Sequence, residues 1–482
     1  MPARALPMLQ AATAVAPDLT GPAGDARPRA FNIRTWGCQM NVHDTEKMAG
    51  ALTRDGFQVS RDARGADVVL LNTCAVRDKA TQKVYHALGR LRRLKEQNPS
   101  LIIGVTGCVA QLEGETIFRR APYVDLVVGP RAIGALPRLV EEARTRQTTR
   151  LTPVEDDLTY PFESAVRGSA AKAYVTVMEG CDKACTFCIV PRTRGDEEYR
   201  PVAQVLAEAA HLAGRGYREI ELLGQNVNGY RHGGVDFAGL LRRVDAVDGI
   251  ERLRFTTSHP LHLSDAIITA MAEGEHVCPQ IHLPVQSGSD RVLKRMRRGY
   301  DRSRYLERVA RLRSEVREVA LSTDVIVGFP GESDADFDAT LELLEEVRFE
   351  QVYSFVYSPR PGTVAARLED PTPAAVKDAR LQLLQRRQQE IQAELYQREI
   401  GRTVQVLVEG PAKFGAGVYT GRSPQNFVVL FSGHEGMVGR ILPVVIRTVT
   451  SLALYGDVDR EAALGAGVSL TSPGADGIDI AG

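Results

Sequence analysis

The sequence has no apolar run of about 18 residues or more, and its Ala-rich start lacks the basic beginning and compact apolar core of a signal peptide. These absences exclude a membrane-spanning helix and a secreted protein, so the expected location is the cytoplasm. Lys and Arg together number 60, as do Asp and Glu, which leaves no net charge to attract nucleic acid or a membrane surface. Any RNA-binding surface must therefore be a local patch.

Cysteine is scarce and odd in number. The chain has seven cysteines, which excludes the disulfide framework of a small secreted domain. The remaining composition is ordinary, with 44% apolar and 25% charged residues. A length of 482 residues is enough for about two to four domains. Metal or redox chemistry is then the expected use of the cysteines, and their spacing indicates which.

The hydrophobic pattern predicts a multidomain α/β protein. Residues 1–29 and 461–482 are rich in small residues without periodicity, and both are expected to be disordered tails. A linker near 152–168 and a second change of pattern near Gly401 separate three folded units. The expected bounds of these units are 30–150, 165–398 and 400–460.

The first unit alternates short apolar runs with helical stretches. The runs are FNIRTW, ADVVLLN, LIIGVTG and VDLVVG, and each is followed by a helical pattern; the first of these helices ends near Arg54, before Gly56. Repetition of strand and helix predicts a parallel sheet with helices on its faces.

The second and third units differ in their repeat. The second has six strand patterns, YVTVM, EIELLG, RLRFTT, QIHLPV, STDVIVG and VYSFVYS, followed by a long helix over 380–399. Six is fewer than the eight of a closed barrel, so we expect a partial (β/α)6 barrel with its site at the carboxyl ends of the strands. The third has short alternating runs, VQVLVEG, NFVVLF and VVIRTVTSLALYG, which predict a small antiparallel β-barrel.

Three closely spaced cysteines follow the first strand of the second unit. Cys181, Cys185 and Cys188 stand in GCDKACTFCIVPRTRGDE, with no obvious fourth ligand. A structural zinc site usually has four protein ligands, whereas three cysteines on a four-iron, four-sulfur cube leave one iron free to bind a small molecule. The spacing favours the cube over zinc or three unrelated buried cysteines.

Three distant cysteines occupy equivalent places in the first unit. Cys38, Cys74 and Cys108 each follow a predicted strand by one or two residues. Because carboxyl ends of parallel strands lie along one edge of a sheet, we expect these thiols to come together and hold a second cluster. The alternative is three small core residues. Cys278 stands alone and is expected to be structural, and no role is assigned to His259, His262 or His282.

The first cysteine motif resembles that of the radical S-adenosylmethionine superfamily, whose free iron binds S-adenosylmethionine. Other stretches extend the resemblance over 30–460 to the methylthiotransferases, which have an N-terminal cysteine domain, a radical core and a C-terminal RNA-binding TRAM domain, similar to oligonucleotide-binding (OB) barrels. These stretches are TWGCQMN, NTCAVRDKA, GCVAQ, LLGQNVN, HLPVQSGSDRVLKRMRRGY, DVIVGFPGE and YSPRPGT.

The resemblance implies a transferase with two 4Fe-4S clusters and S-adenosylmethionine as cofactors. It implies insertion of sulfur and a methyl group at carbon 2 of N(6)-dimethylallyladenosine, at position 37 of tRNA. Carbon 2 carries no acidic hydrogen, so radical chemistry suits it. Relatives acting on threonylcarbamoyladenosine of tRNA or on an aspartate of a ribosomal protein remain alternatives. So does a non-catalytic RNA-binding protein with a structural metal.

The resemblance also implies roles for individual residues. Cys181, Cys185 and Cys188 match the radical cluster and Cys38, Cys74 and Cys108 the auxiliary one. Phe187 matches a position beside the adenine of the cofactor. Weaker candidates for cofactor contact are Gln225, Ser287 and Gly328, for which plain turn and packing roles are the alternative. No catalytic side chain is assigned.

Basic residues among aromatic ones mark the expected RNA surface of the third unit. These are Arg402, Lys413, Arg422 and Arg440, near Phe414, Tyr419 and Phe427. Two other basic clusters are 90–95 and 294–298, and the second is favoured because it adjoins a predicted active-site loop. The expected partners are the anticodon loop of tRNA and an external electron donor; the sulfur source is open, and a monomer without membrane contact is expected.

Overall fold

The computed structural model describes residues 29–75, 78–145 and 160–465. The predicted tails lie outside these ranges, except for Arg29 and residues 461–465. Most of the predicted linker also lies outside them. In the described part of the chain, no helix has both the length and the apolar character needed to cross a bilayer.

The first domain is a five-stranded parallel sheet with strand order β2-β1-β3-β4-β5. Four strands match the four predicted runs, and the fifth, β2, is a two-residue edge strand that carries no apolar run. The strands are β1 (Ala30–Trp36), β2 (Gln58–Val59), β3 (Val68–Thr73), β4 (Ile102–Gly107) and β5 (Leu126–Val128). Every residue of β3 and β4 is buried, as expected for central strands covered on both faces.

Helices pack on both faces of this sheet. They are α1 (Gln39–Arg54), α2 (Asp78–Gln97), α3 (Cys108–Glu113), α4 (Glu115–Arg120) and α5 (Leu136–Thr145). Helices α1 and α5 share one apolar core with β1, whereas α2 packs on β3 and β4 on the opposite face. Helix α1 ends as predicted, because Gly56 takes a φ of 84° two residues beyond it.

The second domain is an open barrel built around the six predicted strands. Two three-stranded parallel sheets, β12-β9-β6 and β13-β14-β15, are joined by a bridge between Leu253 and Val277. Its strands are β6 (Lys172–Thr176), β7 (Met178–Glu179), β8 (Glu198–Tyr199), β9 (Glu219–Leu223), β10 (Arg231–His232), β11 (Val235–Asp236), β12 (Arg252–Thr256), β13 (Gln280–His282), β14 (Ala320–Val327) and β15 (Gln351–Val356). This confirms the partial barrel.

The helices of the barrel connect its strands on the outside. They are α6 (Val190–Arg194), α7 (Val202–Gly214), α8 (Phe237–Asp245), α9 (Asp265–Glu273), α10 (Asp290–Arg295), α11 (Arg302–Glu315), α12 (Asp334–Val347) and α13 (Ala374–Gln397). The predicted helix over 380–399 is found as α13, which begins six residues earlier, directly after Pro373. Proline is favoured near a helix start because the first turn needs no backbone donor there.

The third domain is a closed five-stranded barrel of order β16-β17-β18-β20-β19. Its strands are β16 (Thr403–Pro411), β17 (Val418–Arg422), β18 (Val428–Ser432), β19 (Ile441–Val449) and β20 (Leu454–Val458). This confirms a small β-barrel. The sequence pattern missed β17, whose VYTGR has little apolar alternation, and merged β19 with β20.

The predicted C-terminal tail is wrong at its first residues. Helix α14 (Arg460–Gly465) follows β20, and Ala463 is 0% exposed in the core of the third domain. The Ala- and Gly-rich sequence of this helix has no amphipathic pattern that would predict it. Packing against the third domain stabilises the helix instead.

Two arginines of β12 fix the third domain on the barrel. Arg252 donates to the carbonyl oxygens of Gln405 and Arg422, at 2.8 and 2.7 Å. Arg254 donates to those of Ser423 and Pro424, at 2.6 and 2.8 Å. Each guanidinium is buried and satisfies two backbone acceptors, so the two domains hold a defined orientation.

The end of the predicted linker packs between the first two domains. The hydroxyl of Tyr160 lies 2.9 Å from His43 Nε2 of α1 and donates to Glu208 of α7 at 2.5 Å. The other ring nitrogen of His43 lies 2.8 Å from Thr176 Oγ1 of β6. The described part of the linker is therefore a component of the domain interface.

Candidate functional site

The structure places Cys38, Cys74 and Cys108 on one edge of the first domain. They follow β1, β3 and β4, which are neighbours in the sheet. The backbone N–H of Cys74 donates to the carbonyl oxygen of Trp36 at 2.9 Å. A hydrogen bond from Cys74, aided by the positive charge of Arg194, lowers the pKa of Cys38 to about 6. Burial raises the pKa of Cys108.

Two buried asparagines hold the loops that carry these cysteines. Asn72 of β3 donates to the carbonyl oxygen of Asn41 at 2.7 Å, and the two side chains lie 3.3 Å apart. Cys38 Sγ lies 3.4 Å from Asn41 Oδ1. Gly107, with a φ of 82°, lies so close that an added Cβ would be 2.4 Å from Asn72 Oδ1. The loops before Cys38 and Cys108 are thereby held against β3.

The loop with Cys181, Cys185 and Cys188 is held at its first cysteine. Gly180 donates to Gln225 Oε1 at 2.6 Å, and Cys181 donates to the carbonyl oxygen of Gly195 at 3.1 Å. Burial raises the pKa of Cys181 to about 11 and that of Cys188 to about 12. Metal binding by these two thiols must therefore release their protons.

A buried arginine joins the two sets of cysteines. Arg194, the last residue of α6, is six positions beyond Cys188 and its side chain is 3% exposed. Its guanidinium lies 2.5 Å from Asp44 Oδ2 of α1 and 3.5 Å from Glu179 Oε2 of β7. Its positive charge also acts on Cys108. The segment that follows the second cysteine set therefore contacts the helix that follows Cys38.

Neither set is arranged for a single metal ion. Among the described residues, no three Cys, His, Asp or Glu side chains approach closely enough to share one ion. An iron–sulfur cube makes a different demand, because each of its cysteines binds a different iron and the sulfurs surround the cluster. Cysteine triplets on loops pinned by Asn72 and Gln225 fit that demand.

Three buried polar atoms at the barrel mouth have no hydrogen-bond partner among the described residues. They are Asn226 Oδ1, Ser258 Oγ and His259 Nε2, which follow β9 and β12. Burial lowers the pKa of His259 to about 2, so its ring is neutral. Buried polar groups without partners are rare in native proteins and suit a polar ligand. S-adenosylmethionine offers ammonium, carboxylate, hydroxyl and adenine groups to match them.

These groups lie near the loop of the radical-type cysteine motif. Lys183, between Cys181 and Cys185, acts electrostatically on both His259 and His262. Arg298 also acts on His259 and donates to Cys185 Sγ at 3.4 Å. Thr257, next to these groups, has a φ of 77°, which is an outlier for a β-branched residue. Such strain is typical of functional sites.

The four cofactor candidates have separate surroundings. Phe187 is half-buried against the apolar cluster of Phe329 and Tyr357. Gln225 holds the cluster loop through Gly180. Ser287 is fully buried, with its hydroxyl 3.4 Å from that of Thr340. The backbone N–H of Gly328 donates to Glu332 at 2.7 Å.

The predicted RNA residues of the third domain are not equivalent. Arg402 pairs with Glu399 and Glu318, and Arg422 lies 3.6 Å from Glu409. Arg440 is half-buried, and Lys413 is exposed next to Phe414, which is 87% exposed. Tyr419 and Phe427 were wrongly included as stacking candidates, because both belong to the barrel core.

The favoured basic cluster at 294–298 also needs correction. Lys294, Arg295 and Arg297 are exposed, but Arg298 is buried and its guanidinium contacts Cys185 and the carbonyl oxygen of Pro284.

Cys278, expected to be structural, is buried, and its backbone N–H donates to the carbonyl oxygen of Leu253 of β12 at 2.9 Å. Sequence reasoning missed the roles of Arg194, Arg298, Asn41 and Asn72, although the stretches that contain them were noted.

Comparison with known proteins identifies the three domains. The profile of the Radical SAM superfamily matches residues 175–344, that of the TRAM domain 397–458, and that of Uncharacterized protein family UPF0004 30–129. The chain is 47% identical over 438 residues to the tRNA-2-methylthio-N(6)-dimethylallyladenosine synthase of Stutzerimonas stutzeri, covering 89% of this chain and 99% of the relative. The synthase of that name from Anaeromyxobacter sp. is 50% identical over 446 residues, with 90% and 95% covered.

The chain belongs to this synthase family. The expected family is thereby confirmed, as is a radical S-adenosylmethionine transferase that uses a 4Fe-4S cluster. Among solved structures, the radical S-adenosylmethionine methyltransferase TsrM from Kitasatospora setae resembles this member of the synthase family with a TM-score of 0.52 and 13% identity. The match covers 70% of this chain and 77% of TsrM, and it concerns the fold alone.

Replacing Gly180 by Ala should dismantle the cluster loop. A Cβ there would lie 1.8 Å from the carbonyl oxygen of Asp196, and the φ of 81° is unfavourable for alanine. We expect loss of iron from the loop of Cys181 and loss of S-adenosylmethionine cleavage, measured by iron content and 5'-deoxyadenosine. Gly216→Ala is the matched control, with a φ of 87° and nothing within 4 Å of the added Cβ. Equal iron loss in both variants would contradict a specific role for Gly180.

Replacing Arg194 by Met should destabilise the interface of the two cysteine sites. The change leaves the carboxylates of Asp44 and Glu179 buried without this cation, at a cost of about 3–5 kcal/mol. Denaturant unfolding measures the loss, and adding Asp44→Asn should recover part of it. The exposed pair of Arg138 and Glu142 supplies the control, since Arg138→Met should cost less than about 1 kcal/mol. If the two arginine variants unfold alike, Arg194 does not hold the interface.

Proposed function

We propose that this protein inserts sulfur and a methyl group at carbon 2 of N(6)-dimethylallyladenosine, at position 37 of tRNA. The product is the 2-methylthio derivative named in the relatives. The observation that carries the proposal is the buried ion pair of Arg194, six residues beyond Cys188, with Asp44, six residues beyond Cys38. Two clusters on the two cysteine triplets would face a common space.

The residues for two 4Fe-4S clusters are Cys181, Cys185 and Cys188 for the radical cluster and Cys38, Cys74 and Cys108 for the auxiliary one. When bound, the clusters and S-adenosylmethionine supply the radical that removes hydrogen from carbon 2 and the sulfur and methyl group that replace it. The remaining work falls to the side chains around the clusters.

These side chains shape the site by charge and hydrogen bonding. Arg298 donates to Cys185 Sγ, and such a donor stabilises the thiolate form of the ligand. The positive charge of Arg194 acts on Cys108. Neutral His259, with Asn226 and Ser258, offers donors and acceptors to the amino acid or ribose part of S-adenosylmethionine. Phe187 supplies an apolar surface beside the cluster loop for its adenine.

The proposed RNA partner is the anticodon loop, in which the target base can leave its stack at little cost. Support for an RNA partner comes from the TRAM domain and from exposed Lys413 and Phe414 in the loop between β16 and β17. Because Arg252 and Arg254 hold the TRAM domain on the barrel, they would also set the distance from this loop to the barrel mouth. We further propose that the enzyme acts as a monomer and receives electrons from an external donor.

Analysis of the modified nucleosides tests which substrate the enzyme uses. The reconstituted protein, a reductant and S-adenosylmethionine are incubated with anticodon stem-loop RNA that carries N(6)-dimethylallyladenosine, and nucleosides are analysed by mass spectrometry. We expect the 2-methylthio product. RNA with threonylcarbamoyladenosine and intact ribosomes are parallel substrates, and thiolation of either one alone would refute the proposal. A protein that binds zinc and leaves S-adenosylmethionine intact would be the non-catalytic alternative.

Separate cysteine variants test the two roles. The wild type should hold about eight irons per chain, and each triple Ala variant about four. Loss of Cys181, Cys185 and Cys188 should abolish 5'-deoxyadenosine. Loss of Cys38, Cys74 and Cys108 should leave 5'-deoxyadenosine formation while ending thiolation. Cys278→Ala is the matched control and should keep all the iron. Thiolated product at wild-type level without the first-domain cysteines would contradict their role as the sulfur site.

A further inference from the structure

An arginine-lined cleft opens on the first domain, away from the cysteines. It has a volume of about 880 Å³ and lies between α2, β1 and the short helical turn at 63–65. It exists because α2 packs on β3 and β4 and leaves this face of β1 without a covering helix. Four basic side chains line it: Arg34, Arg64, Arg90 and Arg93. We call it the arginine cleft.

The positive charge of the arginine cleft is not compensated within the protein. Over residues 29–75, 78–145 and 160–465, the four guanidinium groups make no ion pair and no hydrogen bond. Neighbouring cations on the same helix differ, because Arg92 lies 3.0 Å from Glu96 and Lys95 lies 2.8 Å from Asp125. Asp62 is the one acidic residue that lines the cleft among those described. Four unpaired arginines around one opening favour an anionic ligand with several charges.

The wall formed by α2 allows close approach of a ligand. Gly89 precedes Arg90, and its missing side chain leaves open space, with nothing within 4 Å of an added Cβ. Glycine weakens a helix relative to alanine, and here no neighbouring atom requires it. The helical spacing places Arg90 and Arg93 on one side of α2, with exposed Gly89 beside them. The two arginines and the exposed glycine leave this side of α2 open to a ligand.

Strand β1 leads from the cleft toward the edge that carries the cysteines. Arg34 and Trp36 are alternate residues of β1 and therefore point to the same face of the sheet. Trp36, the one tryptophan of the sequence, is half-buried, and Cys38 follows two residues later. From the start of α2 to Arg90 the helix rises about 18 Å, a distance that a few nucleotides span. Phosphate contacts followed by an aromatic surface are typical of sites for unpaired RNA.

We propose that the arginine cleft binds backbone phosphates of the RNA substrate and directs the strand past Trp36 toward Cys38. The inference rests on the proposed function and adds a second RNA contact surface to that of the TRAM domain. RNA fits better than an acidic protein, because guanidinium forks match phosphate and four arginines line one cleft of about 880 Å³. The cleft fixes register and orientation and reads no base.

The salt dependence of RNA binding tests this inference. Labelled anticodon stem-loop RNA with N(6)-dimethylallyladenosine is titrated with the reconstituted enzyme at several salt concentrations, using fluorescence anisotropy. For Arg90→Ala/Arg93→Ala we expect about 30-fold weaker binding at about 0.1 M salt and a log–log salt slope smaller by about 1.5, since two phosphate contacts are lost. Arg92→Ala is the matched control from the same helix and should bind as the wild type does. Iron content checks that every variant is folded.

The outcomes separate this inference from the proposed function. If the double variant binds RNA with wild-type affinity and a wild-type salt slope and still forms thiolated product, the cleft does not bind RNA. The proposed function is then unaffected. An equal loss in Arg92→Ala also overturns the inference, because the effect would then be a general one of charge. If the double variant keeps RNA binding but accepts electrons more slowly from an acidic flavoprotein than from dithionite, the cleft belongs to a protein partner. Absence of RNA binding by the wild type overturns both proposals.

Discussion

The buried contact of Arg194 with Asp44 and Glu179 is the constraint on which the arrangement of the site depends. Arg194 belongs to the barrel, whereas Asp44 belongs to the first domain. A buried cation with one missing partner is costly, so the two domains can separate only by exposing or neutralising these charges. The contact therefore keeps the carboxyl ends of two parallel sheets, each with three cysteines, directed at one another.

Around this contact, the protein surrounds its cysteines with fixed polar groups. Gly180 and Gln225 set the radical-type loop, while Asn41 and Asn72 set the opposing loops. Arg298 reaches Cys185 from a segment whose other basic residues are exposed. Since most of these groups are buried and already paired, little reorganisation is needed when a cluster or cofactor binds. Asn226, Ser258 and His259 differ from these groups, because each keeps one buried polar atom without a partner among the described residues.

The sequence predicted those features that depend on local pattern. Short apolar runs located the main strands, and the rule for carboxyl ends of parallel strands brought Cys38, Cys74 and Cys108 to one edge. The sequence could not show which side chains pair across long distances along the chain. The partner of Arg194 is 150 positions away, and the direction of Arg298 is decided by Cys185, 113 positions away. Burial of Tyr419 and Phe427, and the packing of Ala463, likewise arise from tertiary contacts that no local pattern contains.

Anaerobic crystallography of the reconstituted protein, with data collected at the iron absorption edge, tests the account most directly. The account predicts two separate iron peaks, each the size of a four-iron cluster. One should lie against Cys181, Cys185 and Cys188 and the other against Cys38, Cys74 and Cys108, with Arg194 between them. A single iron peak, or a zinc signal at either set of cysteines, would contradict it.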